Sequence, residues 1–334
     1  MNAHDAASQR AGLLFGLTAH ACWGLMPLYV ALLPQVGPLE FLAHRVFWSA
    51  AFLLLILGAT ARLRDLIRIV RMPGTLGLLL LSSVLIVVNW YVFLYGVSSR
   101  QSVQNSLGYY TNPLCNVVLG VFLLGERLRP GKWLALAFAT GGIGYLMWTQ
   151  GQVPWIALFL AWSFAFYGLV RKLAAVDGAV GMAFEMLLMA GPSAAIVWLG
   201  MKHGTVVFGQ GSLASDAVLI LSGPVTVIPL LCFVLAARRL PMTTLGFLQY
   251  VGPTMQLLTA IFVFGEAFGR DQWIGFGLIW VALILVMGDT LLGMRKRQPH
   301  SMPQGATPGS EGGREDQAGP ARQATPTVHS VRAT

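Results

Sequence analysis

The sequence is poor in charged residues, which make up 10% of the chain, whereas soluble proteins carry roughly 25%. Hydrophobic residues reach 56%, and they come in long uncharged runs such as 101–125, 133–170, 217–237 and 240–265. An apolar run of about 18 residues without charge is typical of a membrane span. Several such runs exclude an ordinary soluble domain, and they exclude a nucleic-acid-binding protein despite the net charge of +9.

The sequence also lacks the motifs of several common activities. The three cysteines, Cys22, Cys115 and Cys232, lie far apart, so neither a disulfide framework nor a structural zinc site is expected. The phosphate-binding pattern GxxxxGK[ST] is missing, so the chain is not expected to hydrolyse ATP itself. We identify no nucleophile–base pair and no clustered carboxylates, so we expect no catalytic residues, no metal site and no cofactor.

Ten segments are predicted to be transmembrane helices. They are longer than the ~10 residues of a barrel strand and do not alternate in polarity. The predicted spans are Leu13–Leu33, Phe41–Ala59, Leu76–Val97, Val103–Leu124, Trp133–Trp148, Pro154–Leu169, Gly181–Leu199, Ala217–Ala236, Thr243–Phe264 and Gln272–Leu292. The sequence therefore predicts an all-α integral membrane protein in contact with the lipid bilayer.

The basic residues predict how these helices are oriented. With both termini in the cytoplasm, the cytoplasmic segments hold fifteen Lys and Arg residues, and the opposite side holds Arg100, Lys202 and Arg270. Cytoplasmic loops of membrane proteins carry such an excess of positive charge. We therefore expect a multi-pass protein of the cell (inner) membrane with a cytoplasmic N-terminus, 1–11. The tail 294–334 is rich in polar residues, Pro and Gly, and is predicted to be a disordered cytoplasmic segment.

An internal repeat appears at an offset of 140 residues. The matching pairs are Phe93 and Phe233, Tyr110 and Tyr250, Pro113 and Pro253, Gly125 and Gly265, Glu126 and Glu266, and Trp133 and Trp273. The offset maps the first five helices, within 12–149, onto the second five, within 152–292. Since five is odd, the second copy would cross the membrane in the opposite direction. Inverted repeats of this kind recur in secondary transporters.

Several motifs resemble those of the RarD family in the drug/metabolite transporter superfamily. The motifs are HACWGLMPLY, EFLAHRVFWS, VVNWYVFLYGV, SLGYYTNPLCNVVLG, FLLGERL, SFAFYGLVRK and TLGFLQYVGPT. The resemblance runs from about Gly12 to Asp289. It implies two EamA domains, ten helices, cytoplasmic termini, and export or exchange of small molecules.

A polar stripe runs along the predicted fourth helix. Its members, separated by steps of 4, 3 and 4, are Asn105, Tyr109, Asn112 and Asn116. Such spacing places them on one helix face, and amides facing lipid would be costly. The positions equivalent to the last three are Gln249, Gly252 and Gln256. The two stripes are interpreted as facing each other and lining a substrate cavity, with hydrogen bonding between helices as the alternative.

Further candidates for substrate binding are Trp23, Asn89 and Tyr167. Aromatic rings and amides would suit a neutral or zwitterionic organic molecule, with ordinary packing as the alternative for Trp23 and Tyr167. His20 is a candidate for coupling, with a hydrogen-bonded interior histidine as the alternative.

Arg45 and Glu185 are charges within predicted spans, and they lie 140 residues apart. We hypothesise that each faces a central vestibule at its own end and acts in gating or coupling without pairing with the other. For Arg45 the alternative is a side chain that snorkels to the membrane surface.

These patterns favour a secondary transporter that moves a small organic metabolite or drug-like molecule by alternating access, in the direction of export. The alternatives are a permease subunit of a larger ATP-driven complex and a membrane-embedded enzyme. The expected partners are the lipid bilayer and the small-molecule substrate, with a homodimer open as an assembly and no nucleic acid.

Overall fold

The computed structural model describes residues 3–124, 130–174, 176–210, 212–237, 239–240 and 248–295. Within those residues every regular element is an α-helix. The helices are α1 Ala3–Gly24, α2 Met26–Ala31, α3 Pro38–Ala59, α4 Leu63–Val70, α5 Pro73–Ser98, α6 Ser102–Leu124, α7 Pro130–Gln150, α8 Trp155–Ala174, α9 Gly178–His203, α10 Leu213–Ala237, α11 Val251–Phe262 and α12 Arg270–Arg295.

Each of the ten predicted spans overlaps at least one of these helices. Five helices, α3, α5, α8, α9 and α10, are long and apolar enough to cross a membrane, with 20 to 26 residues each. At a rise of 1.5 Å per residue, 20 residues cover about 30 Å, which is the thickness of the hydrocarbon core. The chain is therefore a multi-pass membrane protein.

The structure adds two details that the apolar runs do not predict. The first predicted span is broken at Leu25 between α1 and α2, next to Pro27, which has no N–H to donate to the preceding turn. The amphipathic helix α4 lies between α3 and α5, with Leu66 and Ile69 buried. For the ninth span the described residues begin at Leu248, and the tail from Lys296 lies outside the described residues.

The helices pack in pairs that join distant parts of the chain. The most extensive contacts are α7 with α12, α3 with α9, α6 with α8, α5 with α8, α1 with α10 and α3 with α10. The approach of α10 to α3 depends on Gly223, because a Cβ there would lie 2.4 Å from the backbone carbon of Trp48. Glycine is needed where two backbones come this close.

At one end of the bundle, called the α4 end below, a charged contact joins two loops. The guanidinium of Arg62, just before α4, lies 3.2 Å from the Asp177 carboxylate, which also caps α9 by accepting from the N–H groups of Ala179 and Val180. Partial burial alone would raise the pKa of Asp177, but these N–H groups and Arg62 hold it below its ordinary value.

At the opposite end, carboxylates of one segment bind backbone N–H groups of another. Glu266 accepts from the N–H groups of Ser102 and Val103 at 2.7 and 2.8 Å, which are the first donors of α6. Anionic groups stabilise helix N-termini, where the first N–H groups have no partner within the helix. Glu126, the repeat equivalent of Glu266, lies outside the described residues.

Candidate functional site

Arg45 lies inside the bundle, seven residues after the start of α3 and 5% exposed. Its Nε donates to Thr226 Oγ1 of α10 at 2.9 Å. The guanidinium carbon lies 4.0 Å from the ring centroid of Trp90 on α5, a cation–π contact. Contacts with α5 and α10 argue against the alternative that Arg45 snorkels to the membrane surface.

Glu185 lies at the equivalent position of α9, seven residues after Gly178, and is fully buried. Its Oε1 accepts from Ser82 Oγ of α5 at 2.5 Å and lies 3.6 Å from Arg171 Nη1 of α8. Its Oε2 accepts from the Tyr167 hydroxyl at 3.2 Å. All three neighbours carry donor groups, so both carboxylate oxygens have a partner from another part of the bundle.

Arg171 reaches Glu185 because α9 has no side chain in its way at Gly181. A Cβ at Gly181 would lie 1.9 Å from Arg171 Nη1. In the sequence, Arg171 is only one of the fifteen Lys and Arg residues that are predicted to be cytoplasmic. The structure shows it as the ion partner of a buried carboxylate.

The four residues of the polar stripe all lie within α6, but their environments differ. Asn105 is fully buried and donates to the Phe93 carbonyl of α5 at 3.0 Å, while Tyr109 packs between the rings of Phe93 and Phe164. Further along α6, Asn116 is exposed and donates to Asn112 Oδ1 at 2.8 Å. Asn105 thus joins two helices, whereas Asn112 and Asn116 bond to each other.

Asn89 of α5 also joins two helices. It is fully buried, and its Nδ2 donates to the Leu160 carbonyl at 3.1 Å and to Ser163 Oγ at 2.9 Å on α8. This geometry matches the alternative of hydrogen bonding between helices.

A second group of predicted residues lies on α1, α10 and α11. The His20 ring is buried against the rings of Trp23 and Phe233, with centroids 5.2 and 5.9 Å away. Gln256 Nε2 donates to the Trp23 carbonyl at 3.2 Å. No described hydrogen bond connects this group to the one around Arg45 and Glu185.

Among the described residues, no hydrogen bond or ring contact joins the two stripes. Contact between α6 and the segment of α11 is made instead by Ser106, which donates to the Pro253 carbonyl, and by Tyr110, which stacks on Tyr250. Gln249 is exposed. Two cavities among the described residues, of about 350 and 370 Å³, are lined by residues other than those predicted from the sequence.

Sequence reasoning missed the neutral partners of the two buried charges. Thr226 and Ser82 are isolated hydroxyls in apolar helices, and nothing in the local sequence shows that they face Arg45 and Glu185. One signal was available, since Ser82 and Ser222 are separated by the repeat offset of 140.

The comparisons with known proteins agree with this architecture. Residues 10–148 match the EamA-like transporter family. Protein RarD of Salmonella typhimurium is 43% identical over 294 residues, which cover 88% of this chain and all of that protein. A protein of Vibrio cholerae described as an uncharacterized transporter is 41% identical, covering 86% of this chain and 95% of the other.

A crystal structure at 21% sequence identity superposes with a TM-score of 0.55 and covers 86% of this chain and 99% of the other. This likeness concerns the fold. The relatives of higher identity identify the type of protein, a membrane transporter. On this evidence the chain belongs to the RarD family of EamA-type transporters.

Proposed function

We propose that the protein is a secondary transporter that exports a small organic molecule by alternating access. In this proposal ten spans form two inverted five-helix repeats, 12–149 and 152–292, and both termini are cytoplasmic. The α4 end is then the cytoplasmic end, since α4 and its flanking loops hold Arg62, Arg64, Arg68 and Arg71.

The pattern of helix contacts supports the inverted repeat. The offset of 140 exchanges α3 with α9, α5 with α10, α6 with α11, α7 with α12, and the first span with α8. Under this exchange the α5–α8 contact becomes α10–α1, the α6–α8 contact becomes α11–α1, and α3–α10 becomes α9–α5. All six contacts are present, as expected for two copies related by a pseudo-twofold axis.

One observation carries the proposal: each repeat places a buried charge against a hydroxyl of the other repeat. Arg45 of the first repeat donates to Thr226 of α10, and Glu185 of the second accepts from Ser82 of α5. Charges within spans are costly and are typical of substrate and ion pathways. Two such links, near opposite ends, would open and close in turn as the repeats rock against each other.

The cargo in this proposal is small and carries both polar and apolar surface. Tyr109, Asn112, Asn116, Trp23 and Gln256 would line its path, by ring stacking and by hydrogen bonds from amides. Gln249 would lie on the same path near the cytoplasmic end. His20 and Glu185 remain the candidates for coupling transport to a proton.

Transport is tested with the purified full chain in liposomes. Protein-dependent flux of a radiolabelled metabolite, driven by an imposed gradient without ATP or partner protein, is the expected result. Flux that appears only after a partner and ATP are added would indicate a permease subunit. Chemical conversion of the compound, detected by mass spectrometry, would indicate an enzyme.

Topology is tested by labelling single-cysteine variants in intact cells with a membrane-impermeant reagent. A cysteine at Gln150 should react from outside, and one at Arg64 should react only after the membrane is permeabilised. Labelling at position 64 but not at position 150 would contradict the proposed orientation.

A further inference from the structure

Arg45 differs from the arginines that form ion pairs, because no described carboxylate contacts it. The described ion pairs use Arg62, Arg68 and Arg171. Arg45 has the Thr226 hydroxyl at Nε and the Trp90 ring face, both of which are neutral. A buried charge without a counter-charge is costly in a protein interior.

The acidic groups of the helices that pack on α3 are already engaged. Glu40 accepts from two backbone N–H groups of the loop after α9, at 2.8 and 2.9 Å. Asp216 at the start of α10 accepts from the Gly209 N–H at 3.0 Å. Glu185 has its own three donors. None of these carboxylates contacts Arg45, so its counter-charge is to be sought outside the described residues.

The Nη edge of the guanidinium has no hydrogen-bond acceptor among the described residues. The residue as a whole is 5% exposed, and neither Nη atom is among the fully enclosed polar atoms that lack a partner. Arg45 thus presents Nη donors that no described carboxylate uses.

The chemistry of these donors selects the ligand. A guanidinium offers two parallel N–H bonds that match the two oxygens of a carboxylate. The hydrogen bond from Nε to Thr226 and the packing of the guanidinium on the Trp90 ring hold the Arg45 side chain in place. Its Nη edge is therefore oriented before a ligand arrives, which reduces the entropy lost on binding.

We propose that Arg45 binds a carboxylate, or a similarly compact oxyanion, of the transported molecule, with Trp90 and Thr226 as positioning residues. The name "transported molecule" rests on the function proposed above, whereas the anion site itself does not. Arg45 is therefore a specificity-determining residue: molecules that lack an anionic group are bound weakly.

The test uses three probes with the same phenyl ring and two-carbon chain but different charge: phenylacetate, 2-phenylethanol and phenethylamine. Binding to the purified full chain is measured by thermal stabilisation at constant chloride concentration, since a ligand of the folded state raises its stability. Phenylacetate should bind about 10- to 100-fold more tightly than the other two, because hydrogen bonds to a charged group are strong.

Three variants test whether the preference for phenylacetate depends on Arg45. Arg45→Gln should abolish the preference for phenylacetate, and Arg45→Lys should retain part of it, because the charge remains while the two-pronged geometry is lost. Arg270→Gln, which removes the same charge from an exposed position, should leave it unchanged. Elution as a single species and an unchanged helical circular dichroism spectrum show that each variant is folded.

The outcomes separate this inference from the function it builds on. Equal binding of the three probes to the unmodified protein, or a preference that persists in folded Arg45→Gln, would overturn the anion site. A preference for phenylacetate that depends on Arg45, without flux of any compound in liposomes, would retain the anion site and refute transport.

Discussion

The regions around Arg45 and Glu185 occupy equivalent positions in the two halves of the chain but are built in different ways. Both charges lie seven residues into their helices, and both contact a hydroxyl of a helix in the other half. Glu185 is surrounded by three donors, one of them the cation of Arg171. Arg45 contacts a hydroxyl and a ring face, and among the described residues no acceptor contacts its two Nη atoms.

The difference shows that the same backbone position can hold a fully engaged charge in one half and a charge with unused donors in the other. A charge with a complete set of partners holds helices together, and removing a partner leaves an uncompensated charge. A charge with free donors retains the capacity to bind a ligand. The following predictions test this comparison, beginning with the largest expected effect.

Replacing Glu185 should be the most damaging single change. In Glu185→Ala the largely buried Arg171 loses its counter-charge, so we expect the free energy of unfolding to fall by about 3 kcal/mol. The measurement is denaturant unfolding of purified protein in detergent. Thr226→Val, which removes the hydroxyl bound to Arg45 but keeps its shape, should cost about 1 kcal/mol. Equal losses in the two variants would remove the distinction between the regions.

Gly223→Ala should disturb the Arg45 region through the backbone. The added Cβ would meet the Trp48 backbone at 2.4 Å, so α10 must move away from α3, and we expect a loss of about 1–3 kcal/mol. Thr226, one turn further along α10, should move with it. Gly168→Ala in α8 is the matched control because no atom lies within 4 Å of its Cβ; this variant should be as stable as the parent or more so.

The same comparison applies to two neutral side chains. Asn89→Leu removes hydrogen bonds between α5 and α8, and should lower stability by about 1 kcal/mol. Asn112 bonds only within α6 among the described residues. Asn112→Leu, like Gln249→Leu, should leave stability nearly unchanged and reduce flux about 2- to 10-fold, the value of one hydrogen bond to a ligand. Parallel loss of folded protein and flux in Asn112→Leu would show that Asn112 joins helices.

The smallest effect is expected at the α4 end, where Asp177 is partly exposed. Its lowered pKa means that its ionised form stabilises the folded state. This contribution is complete above the unfolded-state pKa, about 3.9, and is lost as the pH falls through the lower pKa of the folded state. Asp177→Asn keeps a good helix cap but loses the Arg62 contact.

We therefore expect Asp177→Asn to be slightly less stable than the parent at pH 7. The difference should shrink once the pH falls below about 4. Unfolding curves recorded between pH 3 and pH 7 provide the measurement. A difference that grows as the pH falls would contradict the assigned sign.

The sequence by itself determined that the chain forms long apolar helices. Uncharged runs of this length are typical of membrane spans, and inside a membrane a helix satisfies the hydrogen bonds of its own backbone. It also determined that Asn105, Tyr109, Asn112 and Asn116 share one face of α6, since helical periodicity is a local property. The break beside Pro27 follows from a local cause as well, although the apolar pattern concealed it.

Only the tertiary structure decided what each polar group faces. Arg45 and Thr226 are 181 residues apart in the chain, and Ser82 and Glu185 are 103 apart, so no local pattern could pair them. From the sequence, Arg171 is one of several basic residues next to a loop. In the structure it pairs with Glu185, because Gly181 has no side chain that would occupy the space of the guanidinium. Partnership among buried polar groups is fixed by helix packing, and packing depends on contacts that the spacing of residues along one helix does not contain.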